Sequence, residues 1–139
     1  MVDERTLHIL LVDDDEVDVM NVRRAFAKAQ MTNPLYVAAN GLDALRMLRD
    51  GSVPGGRRLI LLDLNMPRMN GIEFLRELRA DPALRALSVV VLTTSDDDQD
   101  KVEAYNLNVA GYLLKPVTFG TFVDVMTALE KYWTLVEMP

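Results

Sequence analysis

The sequence predicts an α/β fold: a doubly wound, five-stranded parallel sheet in the order 2-1-3-4-5, flanked by five helices. Five short apolar runs alternate with segments that carry apolar residues at helical spacing, which is the pattern of repeated strand–helix units. The runs are almost continuously apolar, and this is typical of parallel strands that helices cover on both faces.

The first two units lie in the N-terminal part of the chain. Ile9–Val12 is an apolar run that predicts a strand, and Glu16–Gln30 follows as a helix. Asn33-Pro34 ends that helix, because a residue before proline avoids the helical conformation. Leu35–Ala38 predicts a short strand, and Asn40-Gly41 turns into a helix that ends near Asp50-Gly51. The apolar positions of the two helices are Val19, Val22 and Phe26, then Leu42, Leu45, Met47 and Leu48.

The remaining three units are also separated by glycine, proline and acidic residues. A third helix opens at Gly71 and ends before Asp81-Pro82, and three aspartates at 96–98 stand where carboxylates favour a helix N-terminus. The predicted strands are Leu59–Leu62, Val89–Leu92 and Tyr112–Leu114; the last two helices cover about Gln99–Leu107 and a segment carrying Phe119, Phe122 and Trp133.

Composition narrows the class of protein. With 139 residues, half of them hydrophobic, we expect a single domain over 1–139, with a core at about 8–133 and a C-terminal extension at about 132–139. The chain has no cysteine, which excludes disulfides and thiolate zinc sites. A net charge of −6 argues against nucleic acid, and no apolar run is long enough for a membrane span. We expect a cytoplasmic protein without an output domain.

Charged and polar residues follow four of the predicted strands. In the order 2-1-3-4-5, the ends of the first and third strands are neighbours, so Asp13 and Asp14 would lie against Asp63, with Thr93 and Lys115 arriving from the next strands. At about 4 Å, each pair of carboxylates repels by about 4 kcal/mol at an effective dielectric of about 20. Such a cluster needs a proton, a lysine or a divalent cation, and oxygen ligands fit Mg²⁺.

This set of residues, Asp13-Asp14, Asp63, Thr93 and Lys115-Pro116, resembles the receiver domain of two-component response regulators, from about His8 to Trp133. The resemblance implies a flavodoxin-like receiver fold and phosphorylation of Asp63 by a histidine kinase. It implies that Asp14 and Asp63 bind Mg²⁺ directly, Asp13 through water and Asn65 through its backbone carbonyl. It also implies that the chain catalyses only its own phosphorylation and dephosphorylation, and is not otherwise an enzyme.

The resemblance assigns further roles around the phosphoacceptor. Lys115 would pair with the phosphoryl oxygens, and Thr93 would hydrogen-bond the phosphoryl group, with Tyr112 as the aromatic residue that follows this threonine. Asn65 and Ser95 would tune the lifetime of the phosphorylated state. The resemblance also implies a cis peptide bond between Lys115 and Pro116.

The C-terminal segment suggests a subfamily. Its apolar tail, Tyr132 to Pro139, is expected to pack against a partner or a second copy. The chain looks like the single-domain regulators paired with phytochrome-type histidine kinases. This implies a homodimer through the fourth and fifth strand–helix region, with Phe119, Phe122 and Trp133 at the interface, and a kinase that docks on the first helix near Val19, Met20, Arg23 and Arg24.

Single residues exclude two other functions of acidic sites. A phosphatase of the haloacid dehalogenase type needs an aspartate two residues after its nucleophile, where this chain has Asn65. An EF-hand fails because its sixth position is Asp18 and its twelfth is Arg24. A receiver that works as a phosphate sink or a phosphorelay shuttle is an alternative. The five intact residues argue against a partner-binding module without phosphorylation. In isolation, Asp13-Asp14-Asp15 could equally be a solvated turn that caps a helix.

Overall fold

Five strands and three helices make up the part of the chain that the computed structural model describes, residues 6–64, 66, 69–93, 106–115, 120, 123, 124 and 127. Up to the fourth strand, strands and helices alternate as the apolar runs predict. In chain order they are β1 Leu7–Val12, α1 Glu16–Lys28, β2 Leu35–Ala38, α2 Gly41–Arg49, β3 Arg57–Asp63, α3 Gly71–Ala80, β4 Ser88–Thr93 and β5 Gly111–Leu114.

The strands form one parallel sheet in the order β2-β1-β3-β4-β5, so the predicted strand order is confirmed. Val12 at the end of β1 is in register with Leu62 of β3, and Asp63 is in register with Leu92 of β4. Chain connections leave β1 and β3 in opposite directions along the sheet, which opens a crevice beyond their carboxyl ends. Asp13 and Asp63 therefore reach the same crevice.

The sheet is covered on both faces, as its continuous apolar strands predict. Alternate residues of each strand point to opposite faces, so each strand contributes to two separate clusters. On one face, α1 contributes Val22, Ala25 and Phe26 to a cluster with Ile9, Leu11, Leu59, Leu61, Val90 and Leu92. On the other, α2 and α3 contribute Ala44, Leu45, Leu48, Phe74, Leu75 and Leu78 to a cluster with Leu10, Val12, Ile60, Leu62, Val89 and Val91.

Helix α1 ends two residues earlier than predicted. Gln30 has a φ of 55°, which takes the chain out of the helix. The Met31 amide donates to the Phe26 carbonyl at 3.0 Å, and the Gln30 amide donates to the Ala27 carbonyl at 3.1 Å. This pair of bonds is a Schellman motif, which satisfies carbonyls that the last turn leaves without a helical partner. Asn33-Pro34 therefore lies in the loop after the helix end.

Helix α2 buries a narrower stripe than its apolar residues suggested. Leu45 and Leu48 are buried, but the side chain of Leu42 is 52% exposed. Arg46 and Arg49, four and seven residues after Leu42, are exposed too, so the three lie together on the side of the helix away from the sheet. Leu42 is therefore a surface residue, although its spacing matched the apolar pattern.

The last two predicted helices fall mostly outside the described residues. In the final one, positions 120, 123, 124 and 127 are helical. The segment at 94–105 and the C-terminal extension lie outside, so the expected total of five helices and the boundaries of the domain stay predictions. Within the described ranges, no helix has both the length and the apolar character that a membrane span requires.

Candidate functional site

Three carboxylates meet at the carboxyl ends of β1 and β3. Asp13, Asp14 and Asp63 each place an oxygen within 4.8 Å of the others. Asp13 and Asp63 are buried, whereas Asp14 is exposed at the mouth of the crevice. The neighbouring strands bring these carboxylates together, because Asp13 directly follows β1 and Asp63 is the last residue of β3. Two buried anions and one solvated anion form a site open to water on one side.

Asp13 is held in place by its own backbone and by the start of α1. Its amide continues the sheet by donating to the Ala38 carbonyl at 3.0 Å, and its Oδ1 accepts from the Asp15 amide at 2.9 Å. Burial raises the pKa of Asp13 to about 6, against the opposing effects of the Asp15 amide and the Lys115 ammonium. The Asp63 carboxylate adds to the increase in the Asp13 pKa. A further positive charge at the site would stabilise the ionised form of Asp13.

Lys115 supplies a positive charge from the end of the edge strand β5. It follows β5, and its ammonium lies 2.9 Å from Asp13 Oδ2 and 3.2 Å from Asp63 Oδ2, with only 7% of the side chain exposed. A third carboxylate, Asp18 of α1, is closer still, at 2.6 Å. Burial lowers the Lys115 pKa, but the hydrogen bonds to Asp18 and Asp13 and the charges of Asp13 and Asp63 outweigh burial and raise it. Lys115 is a fixed cation.

The turn after Asp63 is closed by Gly71, the first residue of α3. The Gly71 amide donates to the Leu64 carbonyl at 3.0 Å. A Cβ at Gly71 would lie 2.6 Å from the Leu64 Cα and 2.7 Å from the Asp63 carbonyl oxygen. Only glycine allows this approach of two backbones. Asn70 then caps α3 in a reciprocal capping box with Glu73.

The structure brings together four of the predicted site residues, namely Asp13, Asp14, Asp63 and Lys115. Tyr112 lies on β5, where it is partly buried and packs against the α2–α3 side of the core. The backbone of Thr93 ends β4 in register with Leu114. The roles of the Thr93 and Tyr112 side chains stay predictions. The other predicted site residues, Asn65, Ser95, Phe119, Phe122 and Trp133, lie outside the described part, as does Pro116.

Two further acidic residues near the site have defined partners. Asp15 caps α1 by accepting from the Val17 amide at 2.8 Å, so the capping interpretation holds for this third aspartate. Asp18 contacts Lys115 across 97 positions of sequence. In the sequence, Asp18 resembles any carboxylate in the first turn of a helix, so no local pattern marks this contact.

Comparison with known proteins agrees with the resemblance found in the sequence. The response regulator receiver domain family matches residues 9–127. The probable methanogenesis regulatory protein FilR2 of Methanothrix harundinacea is 38% identical over 130 residues, which cover 90% of this chain and 82% of that protein.

Similar solved structures include the bacteriophytochrome response regulator AtBRR, which is 37% identical with a TM-score of 0.76; the match covers 93% of this chain and 96% of that one. The Mn²⁺-bound form of response regulator Rcp1, a protein of Synechocystis sp., is 33% identical with a TM-score of 0.75, covering 96% and 99% of the two chains. With this sheet order and this acidic cluster, the chain belongs to the response regulator receiver domain family.

Proposed function

We propose that Asp63 accepts a phosphoryl group from a phosphohistidine of a histidine kinase, and that the change it causes is passed to another protein. The observation that carries this assignment is the position of the Asp63 carboxylate, buried at a strand end and 3.2 Å from the Lys115 ammonium. The nearby cation counters the charge of an anionic phosphoryl group, which otherwise would be repelled by the aspartates. Asp13 is also buried and lies 2.9 Å from Lys115, so the choice of Asp63 over Asp13 rests on the family resemblance, which places the phosphoacceptor at the end of the third strand.

The transfer is a displacement at phosphorus. An Asp63 carboxylate oxygen forms the new P–O bond while the P–N bond to the donor histidine breaks, and the departing imidazole nitrogen keeps the electron pair and takes a proton. Lys115 neutralises charge on the phosphoryl oxygens. The chain acts on itself in this step, so we propose no turnover of an external substrate.

We propose Mg²⁺ as the metal of this site. Asp13, Asp14 and Asp63 are a hard, all-oxygen donor set, and they are near enough to one another to share one small cation. Asn65 would add its backbone carbonyl, as the family resemblance implies. When bound, Mg²⁺ would neutralise charge on the transferring phosphoryl group. The Mn²⁺-bound form of Rcp1 supports a divalent cation in a related protein.

Mg²⁺ binding is expected to stabilise the folded protein. At ten times its dissociation constant, Mg²⁺ should raise the free energy of unfolding by about 1.4 kcal/mol, because it binds the assembled cluster and not the unfolded chain. Calorimetric titration gives the dissociation constant, and urea unfolding with Mg²⁺ or EDTA gives the stability. Asp14→Asn should weaken both effects, whereas Glu77→Gln, the same charge change on the exposed side of α3, should not. Equal stability with Mg²⁺ and EDTA would count against the metal site.

The phosphoryl donor we propose is a phytochrome-type histidine kinase in the cytoplasm. The likeness to the bacteriophytochrome regulator AtBRR supports this class of donor. For docking, α1 offers an apolar and basic surface: Val17 is 63% and Met20 48% exposed, and Arg23 and Arg24 are exposed. Val19, predicted as part of this surface, instead packs against the core with partial burial.

We also propose that the chain forms a homodimer through its fourth and fifth strand–helix region, with Phe119, Phe122 and Trp133 at the interface. The support is the apolar sequence of the last segment, 132–139, in a small domain with a net charge of −6. Trp133→Ala is expected to shift the protein to a monomer in sedimentation, because it removes the largest apolar side chain of that segment. An unchanged mass would show that another surface, or none, forms a dimer.

A further inference from the structure

Lys115 is shared by three carboxylates, and only two of them belong to the acidic cluster. Asp13 and Asp63 lie in that cluster, and Asp18 lies outside it on α1. The contact with Asp18 is nevertheless the shortest of the three, at 2.6 Å against 2.9 Å and 3.2 Å. Lys115 donates a hydrogen bond to Asp18 Oδ2, and its contacts with Asp13 and Asp63 are ion pairs.

The three carboxylates differ in what happens to them during phosphorylation. This inference rests on the proposed function. There, a divalent cation would neutralise the charge of Asp13 and Asp63, and Asp63 would become an acyl phosphate. Asp13 would then hold Lys115 less strongly, and a nearby divalent cation would repel the ammonium, while the phosphoryl oxygens on Asp63 become its new partners. The Asp18 carboxylate keeps its charge throughout, because it is neither in the cluster nor modified.

We infer that Asp18 is a positioning residue, whose contact with Lys115 keeps the ammonium beside Asp63 while a cation takes up the charge of Asp13 and Asp63. Its place in the fold suits that role. Asp18 is in the first turn of α1, and this turn is fixed by the Asp15 cap directly after the acidic pair. The Asp18 side chain is 20% exposed, so water competes only partly for the ion pair. The strand-end site and α1 are thus joined through one lysine.

The test uses the whole chain and three changes at one position. Asp18→Ala should slow phosphorylation by acetyl phosphate in Mg²⁺ about tenfold, as expected for losing a charge-assisted hydrogen bond that orients a reacting cation. Asp18→Glu keeps the charge and should restore most of the rate, and Asp18→Asn, which keeps an acceptor without the charge, should lie between. Glu16→Gln is the matched control, since it removes an exposed charge from the same helix turn.

A double-mutant cycle separates positioning from a structural role. If Asp18 acts through Lys115, then Asp18→Ala should have no further effect on the phosphorylation rate in a Lys115→Met background. Rate losses that multiply in the double variant would overturn the inference. So would a normal rate in Asp18→Ala together with a lowered melting temperature, since that is the result expected of a purely structural ion pair.

A second measurement does not need phosphorylation. The ammonium of Lys115 gives a ¹H–¹⁵N signal in nuclear magnetic resonance, which is assigned by its disappearance in the Lys115→Met variant. Asp18→Ala should shift this signal, whereas Glu16→Gln should not. The same signal position in Asp18→Ala and the wild type would refute the contact. If the wild-type protein accepts no phosphoryl group but the signal shifts, the proposed function fails and the Asp18–Lys115 pair stands.

Discussion

Replacing Asp63 by asparagine is expected to abolish phosphorylation by acetyl phosphate or by a phosphorylated histidine kinase. The carboxamide is uncharged and a poor nucleophile, so the P–O bond cannot form at this position. The fold should survive, because Lys115 keeps its contacts with Asp13 and Asp18 at 2.9 Å and 2.6 Å. Intact-protein mass spectrometry at neutral pH measures the added phosphoryl group, and peptide mapping locates it.

Asp15→Asn is the control for this change. It removes a carboxylate two residues from Asp13, but asparagine caps a helix about as well as aspartate, so α1 should begin at the same residue. We expect Asp15→Asn to be phosphorylated at the normal site. Phosphorylation of Asp63→Asn at the wild-type rate would remove Asp63 from its proposed role, whichever other residue then carried the group.

The largest effect on stability is expected from Arg79→Met. Arg79, near the end of α3, joins three parts of the chain, because its guanidinium donates to four backbone carbonyls. These belong to Leu107 at 2.8 Å, Arg85 at 2.7 Å, Leu87 at 2.7 Å and Asn108 at 3.0 Å. A hydrogen bond from a charged donor contributes about 1.5–3 kcal/mol and neighbouring bonds do not add fully, so we expect a loss of about 3 kcal/mol.

Urea unfolding followed by circular dichroism measures this loss, and an unchanged slope would show that the native fold is retained. Arg46→Met is the matched control, because Arg46 is 60% exposed and pairs with the exposed Asp50 one helical turn away. Such surface pairs stabilise a fold little. Equal unfolding midpoints for the Arg79 and Arg46 variants would mean that the four carbonyls find other donors.

The strands were predicted well because their signal is local. Each of the five apolar runs became a strand, extended by at most two residues at either end, and β2 has the predicted bounds. Continuous apolar sequence requires cover on both faces, which few folds other than a doubly wound sheet provide. The end of α1 and the exposure of Leu42 were harder to predict, since they depend on how a turn closes and how wide a helix face is covered.

The sequence by itself predicted a doubly wound parallel sheet, and with the order 2-1-3-4-5 of the receiver fold it identified Asp13, Asp14, Asp63 and Lys115, because parallel strands deliver their carboxyl ends to one edge. Only the tertiary structure decided the distances and the partners. Asp18 contacts Lys115 and Arg79 contacts four distant carbonyls because long side chains cross between elements that are far apart in sequence. Local sequence patterns predict periodicity and turns, but they do not predict which distant atoms a long side chain will contact.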